Sequence, residues 1–277
     1  MAEERDNRAI FGGSADAVDR VKAELGLDIP VEEVPLPSRG KIYPVDSPLH
    51  DKETLSVRAM TTREEDILTS RALIKKGTVI TELIKSCLLD RNIDVREMIA
   101  GDRNALMVAI RIMGYGPDYR VDVVCTGCEK KNADYEFRLD SLALKRLEIS
   151  PSTPGANLFS FTLPLSKSVV EFKFLTGKDE EDIVVTQEKM KKMGSENDRL
   201  ISGRLKYAVV SIAGKSDRSL INSAIDKLLA RDSLELRRFM EKNEPGIDMT
   251  QEFACKHCDH VEEVTIPIGT NFFWPQS

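Results

Sequence analysis

Residues 119–128 read Tyr119-Arg120-Val121-Asp122-Val123-Val124-Cys125-Thr126-Gly127-Cys128. Residues 249–258 read Met249-Thr250-Gln251-Glu252-Phe253-Ala254-Cys255-Lys256-His257-Cys258. In each, a strand-like run (Tyr119 to Val124; Met249 to Ala254) ends in a C-x-x-C. That spacing puts two sulfurs on one tight turn, within reach of a single ion. A structural zinc takes four such ligands in a tetrahedron, and these two pairs hold four of the chain's 5 cysteines. The pattern predicts one four-cysteine zinc site with Cys125, Cys128, Cys255 and Cys258 as ligands. Ala133 to Leu139 and Val261 to Ile268 read as return strands, so each pair is a zinc knuckle at the tip of a hairpin. Four thiolates leave no open position for water or substrate, which makes the expected metal a staple.

The surroundings of the two knuckles also match. Asp102 stands 23 positions before Cys125, and Asp232 stands 23 before Cys255. Ala100-Gly101-Asp102 precedes one helical pattern and Ala230-Arg231-Asp232 precedes the other. Further upstream, Glu64-Glu65-Asp66-Ile67 follows a strand (Val57 to Met60), and Glu180-Glu181-Asp182-Ile183 follows another (Val170 to Leu175). An ordered set of this kind predicts internal duplication. The extra length of the second copy falls around Lys189 to Asn197 and in the helix after it. Ile149-Ser150-Pro151-Ser152-Thr153-Pro154-Gly155 is the linker between copies. The expected organisation is a flexible N-terminal arm (1–33), a first repeat (34–150) with knuckle 125–128, and a second repeat (151–277) with knuckle 255–258 and an aromatic C-terminal tail. The fold class is α+β: two related helical units, each carrying a zinc-knuckle β-hairpin, joined by the shared site.

Within the arm, Ser14 is placed to cap a short helix bearing Val18, Val21 and Leu25. Val34 to Pro44 is proline-bound and extended, either a strap packed by Leu36, Ile42 and Tyr43 or a partner-binding segment. Thr62 with Glu65 forms a capping box. Val79, Ile80, Leu83, Ile84, Cys87 and Leu88 recur at helical spacing, which places Cys87 in the core as an inert thiol. Asp94 to Ile99 reads as a short helix, and Asp102 as the cap of the next. In the second repeat, Phe159 to Leu163 and Val169 to Leu175 form a hairpin. Helices follow on Leu200, Ile201, Leu205, Ala208, Val209 and Ile212, then on Leu220, Ile221, Ala224, Ile225, Leu228 and Leu229. Asp232 with Glu235 begins the last. Phe272, Phe273 and Trp274 dock on the chain's own core or plug into a neighbour.

At 277 residues, with 41% hydrophobic content and a net charge of −6, the chain can bury a sizeable core and lacks the basic surface of a general nucleic-acid binder. No apolar run reaches the roughly 18 residues of a membrane span, and Met1 to Asn7 shows no secretory signal. C-x-x-C pairs without such a signal point to a reducing compartment and a metal. A thiol-redox enzyme would carry its C-x-x-C at a helix N-terminus, whereas both pairs here lie between strands. Walker, G-x-S-x-G and H-E-x-x-H signatures are missing. The acidic runs at Glu64 and Glu180 sit in first helical turns, where they complement the helix dipole. His257 and His260 lie at the second knuckle and read as surface or supporting groups beside four cysteines. His50 sits in a polar loop.

The Val34-Pro35-Leu36-Pro37-Ser38-Arg39-Gly40…Tyr43-Pro44 opening is followed by Val57-Arg58-Ala59-Met60-Thr61. Later come Ala109-Ile110-Arg111-Ile112-Met113-Gly114-Tyr115-Gly116 and a strand into Cys125-x-x-Cys128. Together they resemble the T4-type baseplate hub family of contractile-tailed bacteriophages, most closely over 34–140. The resemblance implies a non-enzymatic structural or assembly protein of the tail baseplate hub. It would be made in the host cytoplasm, work with other tail proteins, and act there or in the virion tail. The competing readings are a zinc-ribbon adaptor that binds nucleic acid and a C-x-x-C thiol-redox enzyme. The strap Val34–Pro44 and the C-terminal aromatics are the expected contact surfaces. The sequence leaves the oligomeric state open.

Overall fold

A computed structural model describes residues 28–192, 200–266 and 270–273. The arm through residue 27 with its expected helix, positions 193–197 of the expected insertion, and Trp274 lie outside the described residues.

The first half runs β1 (Val31–Pro35), β2 (Thr54–Arg58), α1 (Thr62–Thr69), α2 (Arg71–Lys76), α3 (Val79–Cys87), α4 (Ala100–Tyr115), β3 (Asp118–Val124), β4 (Lys131–Arg138) and β5 (Leu144–Lys145). The second runs β6 (Phe159–Thr162), β7 (Val169–Phe172), α5 (Gly177–Lys192), α6 (Leu200–Ala208), β8 (Val209–Ile212), α7 (Arg218–Asp226), α8 (Ala230–Asn243), β9 (Gly246–Ile247), β10 (Thr250–Ala254) and β11 (Val261–Thr265), then a 3-10 turn at Thr270–Phe273. The architecture is mixed α and β. Small antiparallel sheets β1-β2, β3-β4, β10-β11 and β6-β7-β8 frame the helices, and β5-β9 joins the halves. β1 crosses the boundary drawn between arm and first repeat at residue 33, pairing Val31 with Arg58 and Pro35 with Thr54.

Both halves set their first strand pair and first helix the same way. Arg58 donates twice to Glu64, at 2.7 and 3.1 Å, while the Thr61 backbone N–H donates to the same carboxylate at 2.9 Å. Lys173 donates to Asp179 at 2.7 and 2.8 Å, and the Thr176 N–H joins at 2.9 Å. Cation, cap and acid are three residues apart in each case. The box in the first half is therefore Thr61 with Glu64, one residue before the pair expected from sequence. The next shared feature is a strand contact: Val57 bridges Leu88 after α3, and Phe172 pairs with Val209 after α6. Val209, expected on a helix, leaves α6 because the β-branched run Val209–Ile212 pairs with β7. Asp94 to Ile99 is a set of turns that ends in extended backbone at Ile99, not a helix.

Neither Asp102 nor Asp232 caps its helix; Ile99 and Leu229 occupy those positions. Each aspartate instead reaches from the first turn into the loop that joins the first strand pair of its own half. Asp102 accepts from Ser38 N (2.9 Å), Ser38 Oγ (2.5 Å) and Tyr43 Oη (2.7 Å). Asp232 accepts from Leu165 N (2.7 Å) and Ser166 N (3.0 Å). Both are fully buried. Their helix N-termini supply the positive end of a dipole to an anion that would otherwise be costly there.

These anchors settle the strap: Leu36, Ser38, Ile42 and Tyr43 are buried within the chain. Of the C-terminal aromatics, the two that are described also turn inward. Phe272 and Phe273 are buried, Phe272 lies 5.3 Å from Tyr119, and the Phe272 carbonyl accepts from buried Arg111 at 3.1 Å. Those side chains serve the core, so they are not the contact surfaces the sequence suggested. Cys87 is fully buried on α3, and burial pushes its thiol up to about 12, which fits an inert core residue.

The halves meet at one further edge. Ile99 bridges Thr176, with Ala100 N donating to Leu175 O at 2.8 Å and Gly177 N to Met98 O at 2.9 Å. A single apolar cluster runs through both halves, from Leu36 and Val57 to Phe172, Leu236 and Phe253.

Candidate metal centre

β3 pairs with β4, and β10 pairs with β11, so each C-x-x-C occupies a hairpin tip. The turns close alike. Cys125 N donates to Lys130 O at 3.1 Å, and Cys255 N donates to His260 O at 3.0 Å. The chain leaves the first turn through Glu129 at φ +58. Gly127 has no substitute here, because a Cβ would fall 2.8 Å from His260 Cγ.

The tips face each other. Cys125 Sγ lies 3.8 Å from Cys258 Sγ, and Cys128 Sγ lies 3.7 Å from Cys255 Sγ. All four sulfurs fall within 4.8 Å of one another. No pair forms a disulfide. Zinc–sulfur bonds of about 2.3 Å in a tetrahedron place sulfurs about 3.8 Å apart, so the donor set and its spacing fit a Cys₄ zinc centre. Cys125 is buried and the other three half-buried.

Contacts between the tips are reciprocal. Thr126 N donates to Glu262 Oε1 at 3.1 Å, and Lys256 N donates to Asn132 Oδ1 at 2.8 Å. Lys256 is the counterpart of Thr126, and Glu262 of Asn132, each 130 positions on. The same exchange maps the Cys125–Cys258 contact onto Cys255–Cys128. Around this frame, Thr126 Oγ1 donates to Glu262 Oε2 (2.8 Å) and meets His260 Nε2 (3.0 Å), while His257 Nε2 meets Lys131 O (3.3 Å). The histidines thus brace the opposite hairpin. His260 also approaches Cys125 beside Glu262, a three-residue donor group that shares its cysteine with the Cys₄ set.

The thiols are prepared unequally. Burial opposes ionisation of Cys255, yet the His257 N–H (3.3 Å) and the Asn132 amide (3.5 Å) bring it down to about 6. The His260 N–H favours a Cys258 thiolate, but Cys128, burial and Cys255 outweigh it and push Cys258 up to about 12. Sulfurs this close share few negative charges unless a cation replaces their protons.

The sequence named all four cysteines, and the structure brings them together. It did not reveal Asn132 and Glu262, whose only signal was the 130-residue offset. His50 lies apart, with Nδ1 against Tyr43 O at 2.7 Å. Glu64 and Glu181 are buried ion-pair partners, of Arg58 and Arg96 respectively.

The family model described as T4 bacteriophage base plate protein matches residues 33–274, which includes both C-x-x-C hairpin tips. No curated protein and no solved structure matches the chain.

Proposed function

The chain belongs to the T4 bacteriophage base plate protein family, and from that premise we propose that it is a structural or assembly protein of the baseplate hub, non-catalytic and clasped by one structural zinc. A phage baseplate protein belongs to the virion tail, so its partners are other tail proteins. We place its synthesis and first contacts in the host cytoplasm. Among the described residues no helix is long and apolar enough to cross a membrane.

The family match carries the baseplate part, because it spans both halves. The opposed sulfur pairs at 3.7 and 3.8 Å support the zinc part. The role of the ion is a cross-link: it ties hairpins whose ligands are more than a hundred residues apart, where loop closure is costly. The repeated Asp anchor, the repeated cation–cap–acid set and the reciprocal knuckle contacts support duplication of one ancestral unit. Function then resides on the surfaces that the clasp holds in place.

Native mass spectrometry of the chain purified with its neighbouring tail proteins tests this. One zinc per chain in a stoichiometric complex is the expected result. Two metals per chain, or none, would remove the clasp; no association with any tail protein would remove the assembly role.

A further inference from the structure

The two faces of the cysteine site correspond residue by residue, yet they differ in what they offer a metal. His260 and Glu262 stand where the other face has Lys130 and Asn132, each 130 positions earlier. The structural tasks at these positions are the same on both faces. His260 O accepts from Cys255 N, and Lys130 O accepts from Cys125 N, main chain in each case. Glu262 accepts from Thr126 N at 3.1 Å, and Asn132 accepts from Lys256 N at 2.8 Å. A lysine and a neutral amide therefore suffice to close one turn and brace the opposite tip. An imidazole and a carboxylate exceed that need, and both are ordinary zinc ligands.

These two side chains also lie beside a sulfur. Cys125 Sγ, a ring nitrogen of His260 and a carboxylate oxygen of Glu262 fall within 4.8 Å of one another, and among the described residues no second mixed group of this kind forms at Cys255. His260 Nε2 and Glu262 Oε1 are 3.9 Å apart. Zinc bonds to nitrogen and oxygen of about 2.1 Å each span up to about 4.2 Å, so one ion fits between them. Thr126 Oγ1 meets His260 Nε2 at 3.0 Å and donates to Glu262 Oε2 at 2.8 Å, which sets the imidazole and the carboxylate side by side. Exposure falls along the trio, from 38% for the His260 side chain to 19% for Glu262 and 0% for Cys125. The donors thus lead from solvent to the buried sulfur of the four.

We propose that Cys125, His260 and Glu262 form a loading site for the zinc, where an ion from solvent is held first and from which it moves into the Cys₄ set. Cys125 stays bound throughout, while Cys128, Cys255 and Cys258 replace the imidazole and the carboxylate. Each thiol that binds gives its proton to solvent, and nothing is oxidised or reduced. A hydrated cation is drawn to a carboxylate and takes oxygen and nitrogen donors readily, ahead of sulfurs that are buried or half-buried. Because the two sets share Cys125, they hold one ion in turn, which keeps the stoichiometry at one per chain. The same path run backwards is the route of release. The destination rests on the zinc reading above; the loading path is a separate claim about rate.

The test uses the full chain, reduced and metal-free, with Co²⁺ and Zn²⁺ as probes. Uptake of Co²⁺ is followed by thiolate-to-cobalt absorption, and release of Zn²⁺ by transfer to a chromophoric chelator. Glu262→Gln keeps an oxygen for Thr126 N, as Asn132 does for Lys256, and His260→Gln keeps a polar contact for Thr126 Oγ1; neither amide is a good zinc ligand. The double variant should take up and release metal each about tenfold more slowly. Its affinity should stay within about threefold of wild type, because the two rates fall together. A second variant isolates the loading site: with Cys128, Cys255 and Cys258 all changed to Ser, Co²⁺ should still bind with about a quarter of the wild-type thiolate absorption, one sulfur in place of four. Adding His260→Gln should abolish that signal. Wild-type rates in the double variant would overturn the proposal. Slower uptake with unchanged release and a matching loss of affinity would also overturn it, leaving the two residues as braces. The rate measurement decides by itself if the triple variant unfolds. Failure of the wild-type chain to bind either metal would instead remove the zinc reading, so the two failures are distinct.

Discussion

The backbone N–H of Thr126 donates to Glu262 across 3.1 Å, and this contact has a mirror partner in Lys256 and Asn132 at 2.8 Å. Each knuckle is thus held by the return strand of the other. Groups that fix metal ligands from outside typically change metal affinity by about 10- to 100-fold when removed. Glu262→Ala should weaken zinc binding about tenfold on that scale. Asn132→Ala should weaken it more, because Asn132 also donates to Cys255 Sγ at 3.5 Å. Competition against a chromophoric chelator measures both. Wild-type affinity in the two variants would show that the reciprocal contacts are incidental.

Loss of the metal should be felt equally from either side. Cys125→Ser and Cys255→Ser each remove one ligand from a site that neither half completes alone. Both should lower the melting temperature by about 10 °C or more, as chelation of the wild type should. Acidification should act in the same direction, because thiolates must take up protons to release zinc. Calorimetry with and without chelator checks this. A transition indifferent to chelator would end the clasp interpretation.

The Glu64 carboxyl carries a separate pH dependence. Burial opposes its ionisation, yet Arg58, Ser86 and Thr61 together hold it down to about 2, from 4.5. A depressed folded value stabilises above the unfolded value and is lost as pH falls through the folded one. The contribution is therefore full at neutral pH and disappears between about pH 4.5 and 2, amounting to roughly 3 kcal/mol. Glu64→Gln should lower stability at pH 7 and flatten the acid limb of a urea-midpoint profile in that window. A parallel limb in the variant would assign the acid sensitivity to other groups.

What could be read from the chain follows from the range of each interaction. The cysteine pairs and the α3 face with Cys87 are local patterns, and the structure brings the four sulfurs together and buries Cys87; the equal spacing from Asp102 and Asp232 to the cysteines falls on two buried aspartates. The roles of those two aspartates were not legible. A first-turn acid reads as a cap, and only the fold shows Asp102 bonded to Ser38 and Tyr43, about sixty positions earlier. Val209 was misplaced for a similar reason. Its apolar spacing continues the α6 pattern, but β7 offers a ladder that a helix would forfeit. For the strap and Phe272 the sequence left packing on the chain and binding of a partner both open, because their partners within the chain, Asp102 and Arg111, lie far off in sequence.

One difference between the halves lies where α4 meets the second half. Gly101 lies against the other half, and a Cβ there would fall 1.7 Å from Pro245 O. Its counterpart is Arg231, which is exposed. The N-terminal turn of α4 can therefore accept a neighbouring backbone, and that of α8 cannot repeat the contact. Gly101→Ala should force the two segments apart at a cost of about 3 kcal/mol, since backbone atoms on both sides have little room to give. Arg231→Ala, on the open side, should change stability by no more than about 0.5 kcal/mol. Urea unfolding of the two variants measures the contrast. Equal midpoints would mean that the Gly101 approach is not what fixes the relation between the halves, and that the clasp at the hairpin tips holds them by itself.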